Sequence, residues 1–432
     1  MLSSYASNQG KTTVTASLAY WFRSQGKRVR VFKVGPDYLD PKILEVASAQ
    51  PVYQLDLWMV GEDGCRCLLA EAAASADIIL VEGVMGLFDG VPSSADLAKR
   101  FSLPVAGIVN AGSMAQTVHA IAHGLAYYDP ALNYVGTLAN CVATIRHAQM
   151  IAEHAAAVPP YLGALMRSAS LTIPSRHLGL QDACELPDLE ALLKAGAELV
   201  AATGLPTALR PVEEPFLEDK ATVGAVGQPL AGLTIAVARD HAFSFLYQAN
   251  LDFLESAGAA ISYFSPLADS NLPACDTLYL PGGYPELHLA ELGFNQSMKE
   301  SIRAHHASGK PIYAECGGML YLLDELLDGS GQRAAMVGLL KGKAALGKKL
   351  TLGYQQFDLE DGVIRGHTFH YSQAQVEAQV ISRARHPYSD GADNSGEPMY
   401  RQGNLTASYV HLYFPSQPSV AVKFFLPVSL GR

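Results

Sequence analysis

The sequence is short of charge, of cysteine and of long apolar runs, and each shortage argues something away. Only 17% of its 432 residues are charged, and 31 basic against 41 acidic side chains leave a formal net charge of −10. Nucleic-acid binders normally carry a basic face, so no nucleic-acid partner is expected. No apolar run approaches the roughly 18 residues of a membrane span, so no membrane partner is expected either. The opening stretch MLSSYASNQGKTT has neither a positive n-region nor an apolar h-region, and does not read as a secretory signal. The six cysteines, at 65, 67, 141, 184, 275 and 316, are scattered. Only Cys65 and Cys67 are close, and no second pair completes a zinc site or a disulfide framework. Apolar residues, at 49%, are plentiful enough for sizeable cores, and the length suits two or three domains. A cytoplasmic enzyme is the expectation.

From Val14 to about Tyr161 apolar runs alternate with alanine-rich helical stretches. VRVFKV (29–34), DIILVEG (77–83), VAGIVNA (105–111) and NYVGTLAN (133–140) read as buried strands of a parallel sheet, the pattern of βαβ units. Residues 186–204 read as one more helix. A Pro-, Glu- and Gly-rich stretch, 206–231, reads as a linker. A second βα pattern follows: LTIAVA (233–238), a helix over 250–257, ISYFSP (261–266), TLYLPGG (277–283), a helix over 295–308, and PIYAECGG (311–318). Beyond about Val337 the residues favour strands and turns, closing with SYVHLYF and SVAVKFFL. The domains predicted are 1–205 and 232–428, both α/β.

SNQGKTTVT (7–15) predicts a phosphate-binding loop. Backbone N–H groups at a helix N-terminus attract anions. Gly10, Lys11, Thr12 and Thr13 are the candidates, with Lys11 on the β/γ-phosphates and the Thr12 hydroxyl on Mg²⁺. The full motif would put a further glycine where Tyr5 stands. DIILVEG ends in Glu82, placed to reach the Mg²⁺ shell from a neighbouring strand. FKVGPDYLDP ends a strand at Lys33 and then offers Asp37 and Asp40, which either line a ligand site or merely cap a turn.

PIYAECGGMLYL sets Cys316 between an apolar strand and an apolar helix, with glycines behind it. Such an elbow exposes a nucleophile and offers the next N–H, that of Gly317, as an oxyanion donor. Helix N-terminal placement is expected to lower the thiol pKa. His411 in SYVHLYF is the candidate base, and Gly283 in PGGYPE suits a second oxyanion N–H.

Together ASNQGKTTVT, FKVGPDYLDP, LDLWMVG, LVEGVMGLFDG, PGGYPELH, YAECGGMLYL, GHTFHYS and SYVHLYF resemble the cobyrinic acid a,c-diamide synthases, in order from residue 6 to about 414. The resemblance implies a dethiobiotin-synthetase-like P-loop domain joined to a class I glutamine amidotransferase domain of the cobyric type. It implies ATP- and Mg²⁺-dependent amidation of the a and c carboxylates of cobyrinic acid, with glutamine or ammonia as nitrogen donor, in cobalamin biosynthesis. By position, Gly10, Lys11, Thr12 and Thr13 would bind ATP, and Thr12 and Glu82 would stand near Mg²⁺. Asp37, Tyr38 and Asp40 would line the place where the corrinoid carboxylate meets the γ-phosphate. Cys316 would be the glutaminase nucleophile and His411 its activator.

Some residues depart from the family pattern. Asn8 replaces a common glycine and Thr368 stands where an acidic residue is expected. Tyr413 occupies the position of a glutamate found in many class I amidotransferases, which the cobyric type also lacks, so a Cys–His pair without a clear third member is expected. The apolar stretch before the loop is only Met1 and Leu2. That predicts either a natural start several residues upstream or weak ATP binding. Hydrogenobyrinic acid and nickel sirohydrochlorin are alternative substrates for the same chemistry. A regulatory P-loop ATPase with a non-catalytic C-terminal half is a rival of another class. His367 and His370 in GHTFHYS read as structural or substrate contacts sooner than as metal ligands, since strand positions i and i+3 face opposite ways. A homo-oligomer stays open.

Overall fold

The computed structural model describes the chain apart from residues 156–158, 169–170, 172–174, 177–178, 181–185, 187, 210–226, 389–395 and 428–432. It divides into two compact units, Met1–Ala221 and Thr222–Arg432. Most of the expected linker, Cys184 and the last residue of the expected second domain therefore lie outside the described residues. The start of that linker is not irregular, because Leu205–Ala208 forms a helical turn.

In the first unit the strands are β1 (Leu2–Ser3), β2 (Val29–Val34), β3 (Tyr53–Leu55), β4 (Ile78–Glu82), β5 (Val105–Asn110), β6 (Tyr134–Val142) and β7 (Tyr161–Met166). They form one parallel sheet in the order β3-β2-β4-β1-β5-β6-β7. Helices α1 (Lys11–Ser24), α2 (Asp40–Ser48), α3 (Glu62–Ser75), α4 (Ser94–Arg100), α5 (Thr117–Tyr127), α6 (Ile145–Ala152), α7 (Leu189–Ala201) and α8 (Leu205–Ala208) connect and cover them. Successive strand residues point to opposite faces, so each strand feeds two cores. Val31, Leu80 and Ile108 pack with Val14 and Leu18 of α1 and Leu193 of α7. Their neighbours Phe32, Val81 and Val109 pack with Leu69 of α3 and Leu97 of α4. This double burial explains the near-continuous apolar runs. Although only two residues long, β1 lies mid-sheet, with Leu2 opposite both Glu82 and Ala106. A two-stranded ladder, β8 (Ser175–Arg176) with β9 (Gly179–Leu180), lies apart from this sheet.

The second unit builds its main sheet from β10 (Thr234–Ala238), β11 (Ala260–Phe264), β12 (Thr277–Leu280) and β13 (Ile312–Glu315), interleaved with α9 (Gln248–Ser256), α10 (Leu289–Phe294) and α11 (Gln296–Ala307). A short helix, α12 (Gly317–Tyr321), follows β13. The chain then runs through β14 (Leu323–Leu327), β15 (Arg333–Ala335), the long hairpin β16 (Leu340–Leu359) and β17 (Gly362–Val376), and β18 (Gln379–Arg383). It returns through β19 (Pro398–Gln402) and β20 (Leu405–Ser408) and closes with β21 (His411–Leu412) and α13 (Pro418–Ala421). The main sheet runs β11-β10-β12-β13-β20-β19-β18, and a second sheet runs β15-β14-β16-β17-β21. The two sheets meet in sequence at the turn between β20 and β21, and His411 opens the last strand of the second sheet. SVAVKFFL, strand-like by composition, is helical: α13 passes into a 3₁₀ turn over Val422–Phe425. Its aromatic residues pack there rather than pair, Phe424 stacking on Tyr313 at 4.6 Å and Phe425 meeting Tyr279 edge-on.

Candidate active sites

In the first unit the loop after β1 turns into α1 at Gly10, whose φ of 87° is left-handed. Asn8, at φ 62°, also adopts the left-handed conformation that glycine would supply, and asparagine tolerates it better than most residues. Asn140, at the end of β6, donates to the Gln9 carbonyl at 2.9 Å and braces the loop. A Cβ on Gly10 would stand 2.3 Å from that amide, so the position admits only glycine without a shift.

Lys11 folds back over the loop and donates to the carbonyls of Ala6 (3.0 Å) and Met85 (2.6 Å). Burial, helped by nearby Lys33, lowers its pKa to about 8. Thr12 Oγ1 donates to Glu82 Oε1 at 2.9 Å. The carbonyl of Thr13 accepts from the Ser17 hydroxyl inside α1. The predicted loop residues and Glu82 are thus brought together.

The hub of this site is Lys33, which sequence reading noticed only as a strand end. Its Nζ lies 2.5 Å from Glu82, 2.6 Å from Asp40 and 3.6 Å from Asp37. Burial opposes its charge, but Asp40, Glu82 and Asp37 together outweigh burial and hold its pKa well above the usual lysine value. Burial likewise pushes Glu82 up and takes Asp37 to about 7, with Asp40 adding to the rise. For Asp40 burial is overcome by Lys33, and its pKa falls. Asp37 caps the turn, its Oδ1 accepting from the N–H groups of Leu39 and Asp40, while Oδ2 faces Lys33. Tyr38 is buried between them in sequence. The available signal was a lysine inside an otherwise apolar strand, VRVFKV.

The second site is built on an elbow. Cys316 has φ 43° and ψ −111°, a strained conformation for a side-chain-bearing residue. Its N–H donates to the Ser408 carbonyl of β20 at 2.8 Å. A Cβ on Gly317 would lie 2.9 Å from the Gly283 nitrogen, and one on Gly318 would lie 2.1 Å from the Leu280 carbonyl oxygen. The two expected oxyanion residues, Gly283 and Gly317, therefore touch. A Cβ on Gly282 would in turn lie 2.2 Å from His411 Cε1. Cys316, Gly317, Gly283 and His411 form one continuous patch, with Cys316 Sγ 3.9 Å from the Phe369 carbonyl.

The expectation of a lowered thiol pKa is reversed. Burial, then the charge of Glu286, pushes Cys316 up, and the Gly317 N–H opposes this only in part. With five residues, α12 has too little aligned dipole to offset burial. His411 moves the opposite way, its pKa driven well below 6.5 by burial and then by His367 and His370. Both shifts favour a neutral thiol and a neutral imidazole at rest.

His411 is positioned by residues that sequence reading passed over. Glu315, next to Cys316, accepts from Tyr279 and Tyr313 hydroxyls at 2.9 and 2.8 Å and from the Leu412 N–H at 2.9 Å. Burial raises its pKa to about 7. Asn250 grips the same segment, donating to the Leu412 carbonyl and accepting from the Phe414 N–H. His367 pairs with His411 across β17 and β21, stacks on it at 5.2 Å, and meets the Tyr247 hydroxyl at 3.1 Å. His370 meets Glu397 at 3.2 Å and stacks on Tyr409 at 3.8 Å. The two histidines of GHTFHYS thus engage different partners, as their spacing predicts.

Comparisons with known proteins agree with both halves. Residues 1–180 match the CobQ/CobB/MinD/ParA nucleotide binding domain, and residues 234–419 match the CobB/CobQ-like glutamine amidotransferase domain. The hydrogenobyrinate a,c-diamide synthase of Pseudomonas aeruginosa is 52% identical over 431 residues, covering 99% of this chain and 97% of the relative. That of Stutzerimonas stutzeri is 52% identical over 428 residues, covering 99% and 98%. The cobyrinate a,c-diamide synthase of Herminiimonas arsenicoxydans is 47% identical over 434 residues, covering 99% and 96%.

Proposed function

The chain belongs to the a,c-diamide synthase family of glutamine-dependent ligases, and from that premise we propose that it amidates the a and c carboxylates of cobyrinic acid at the expense of ATP, in cobalamin biosynthesis. The observation that carries this reading is the joint presence of a P-loop site and a Cys316 elbow in contact with Gly283. A carboxylate is too poor an electrophile for ammonia, so its oxygen first takes the γ-phosphoryl group of ATP. The backbone N–H groups around Gly10 cradle the phosphates, and Lys11 leaves its carbonyl partners to neutralise them. Asp37, Tyr38 and Asp40 line the acceptor side, with Lys33 balancing the carboxylates.

Magnesium fits the residues present. Among the described residues, buried Glu82 Oε2 has no hydrogen-bond partner, and the Thr12 hydroxyl stands beside the same carboxylate. A hard cation that keeps phosphates and waters as its remaining ligands suits such a pair. Bound there, Mg²⁺ would neutralise charge on the transferring phosphoryl group.

At the second site Cys316 attacks the γ-amide of glutamine, and the N–H groups of Gly317 and Gly283 receive the developing oxyanion. His411 takes the thiol proton and passes it to the leaving ammonia. Water then hydrolyses the γ-glutamyl thioester, and the ammonia is consumed by the acyl phosphate. Its use of ATP and glutamine supports a cytoplasmic location.

A second substrate reading has its own support: the two 52% relatives are named for hydrogenobyrinate, and the 47% relative for cobyrinate. Purified protein incubated with ATP, Mg²⁺, glutamine and each corrinoid in turn, with diamide followed by mass, tests both. Diamide from neither acid would overturn the assignment, and a large kcat/KM preference decides between them.

A further inference from the structure

The thiol site contains a carboxylate that the chemistry above leaves idle. Glu286 lies in the 3₁₀ turn Pro285–Leu287, just past Gly283. That turn rests on the elbow, since a Cβ on Gly317 would lie 2.8 Å from Pro285 Cδ. Glu286 is only 9% exposed. The hydrogen bond that reaches its carboxylate comes from its own backbone N–H, and among the described residues no lysine, arginine or histidine pairs with it. Its charge acts on the Cys316 thiol and on the Tyr409 hydroxyl, so it lies near both. The other carboxylate acting on both groups, Glu397, already meets His370 at 3.2 Å. Tyr409 is likewise engaged, by the Ser372 hydroxyl at 3.0 Å. One buried acidic group near the nucleophile is therefore uncompensated, and burying such a group without a cation is costly.

We infer that Glu286 binds the α-ammonium group of glutamine and makes the nitrogen-donor site select an amino acid over a plain carboxamide. The inference rests on reading Cys316 as the glutaminase nucleophile. When the γ-amide lies over Cys316 with its oxygen toward Gly283 and Gly317, the other end of the substrate carries the only cation in it. Glu286 presents the complementary charge beside the same elbow. The ammonium supplies the missing counter-charge, and the burial that raises Glu286 to about 7 strengthens a charge-assisted hydrogen bond to it. Binding of this kind discriminates sharply, because an analogue without the ammonium leaves the carboxylate unpaired.

The test compares hydrolysis of glutamine and of glutaramate, the same γ-amide without the α-amino group, by the full-length wild type and E286Q. The wild type is expected to favour glutamine. E286Q is expected to lower the glutamine-to-glutaramate ratio of kcat/KM by roughly 10- to 100-fold, chiefly through KM for glutamine. An unchanged ratio, or an equal loss on both amides, overturns the inference. Should E286Q fail to fold, the wild type alone decides: equal kcat/KM for the two amides also overturns it. A wild type that hydrolyses neither amide sinks the glutaminase reading itself, so the two failures are distinguishable.

Discussion

The two sites handle charge differently. Around the P-loop, ionisable groups are clustered and paired: Lys33 holds Asp37, Asp40 and Glu82 within 3.6 Å, and Lys33 and Asp40 are held charged even though burial raises Glu82 and Asp37. Around Cys316 charge is suppressed, with the thiol pushed up, His411 and His367 pushed down, and Glu315 and Glu286 both raised to about 7. The difference follows from the reactions. Phosphoryl transfer carries several negative charges throughout, so its site needs permanent cations, the part proposed for Lys11 and for Mg²⁺ beside Glu82. Thiol attack on a neutral amide creates charge only in the transition state, and oriented N–H dipoles are enough to meet it.

Removing single members of each site tests this contrast. Cys316→Ala should take glutamine-driven amidation to background while ammonia-driven amidation continues, because only nitrogen supply is lost. Wild-type use of glutamine by this variant would deny Cys316 its role. Lys11→Ala should lower synthesis from either nitrogen source by roughly 10³- to 10⁵-fold, the scale on which a cationic clamp matters in phosphoryl transfer. Glutaminase activity should persist in it, and an intact ammonia-driven reaction would refute the P-loop assignment. For His411→Ala a drop of roughly 10²- to 10⁴-fold in glutamine hydrolysis is expected, with ammonia-driven turnover kept. Loss of both together would point to folding instead.

The smallest effect concerns stability. Glu315 has a folded pKa of about 7 against an ordinary 4.5, so the folded state binds the extra proton. Its contribution is then greatest at low pH and is lost as pH rises from 4.5 through 7, by about 3 kcal/mol in all. Denaturant unfolding at pH 5 and pH 7.5 should show a larger loss of stability in the wild type than in Glu315→Gln, in which Glu286 and Asp37 still titrate over the same range. Equal slopes in the two proteins would mean that Glu315 does not titrate in this window.

Much of the first unit could be read from the sequence because strands buried on both faces leave continuous apolar runs, and VRVFKV, DIILVEG and VAGIVNA mark their own positions. The elbow was readable too, since strand, cysteine and paired glycines are adjacent. Lys33 could be seen but not valued: its three partners come from the β2–α2 turn, α2 and β4, and only the parallel pairing of β2 with β4 sets Lys33 beside Glu82. Glu315 and Asn250 were invisible for the same reason, as both act on the backbone of a distant segment, Leu412–Phe414. SVAVKFFL was misread because alternating apolar residues fit a strand as well as a buried helical turn whose aromatic side chains pack on Tyr313 and Tyr279. The thiol's direction was missed because burial cannot be read from a local motif.

A neutral resting thiol has a consequence for oxidative durability. Peroxides attack the thiolate, and cysteines with lowered pKa and open access are the ones that climb to sulfenic and sulfinic acids. Cys316 is only 3% exposed and its proton is held more tightly than in a free thiol. As the proposed nucleophile, Cys316 would thus be shielded from oxidants between turnovers and vulnerable only while its proton rested on His411.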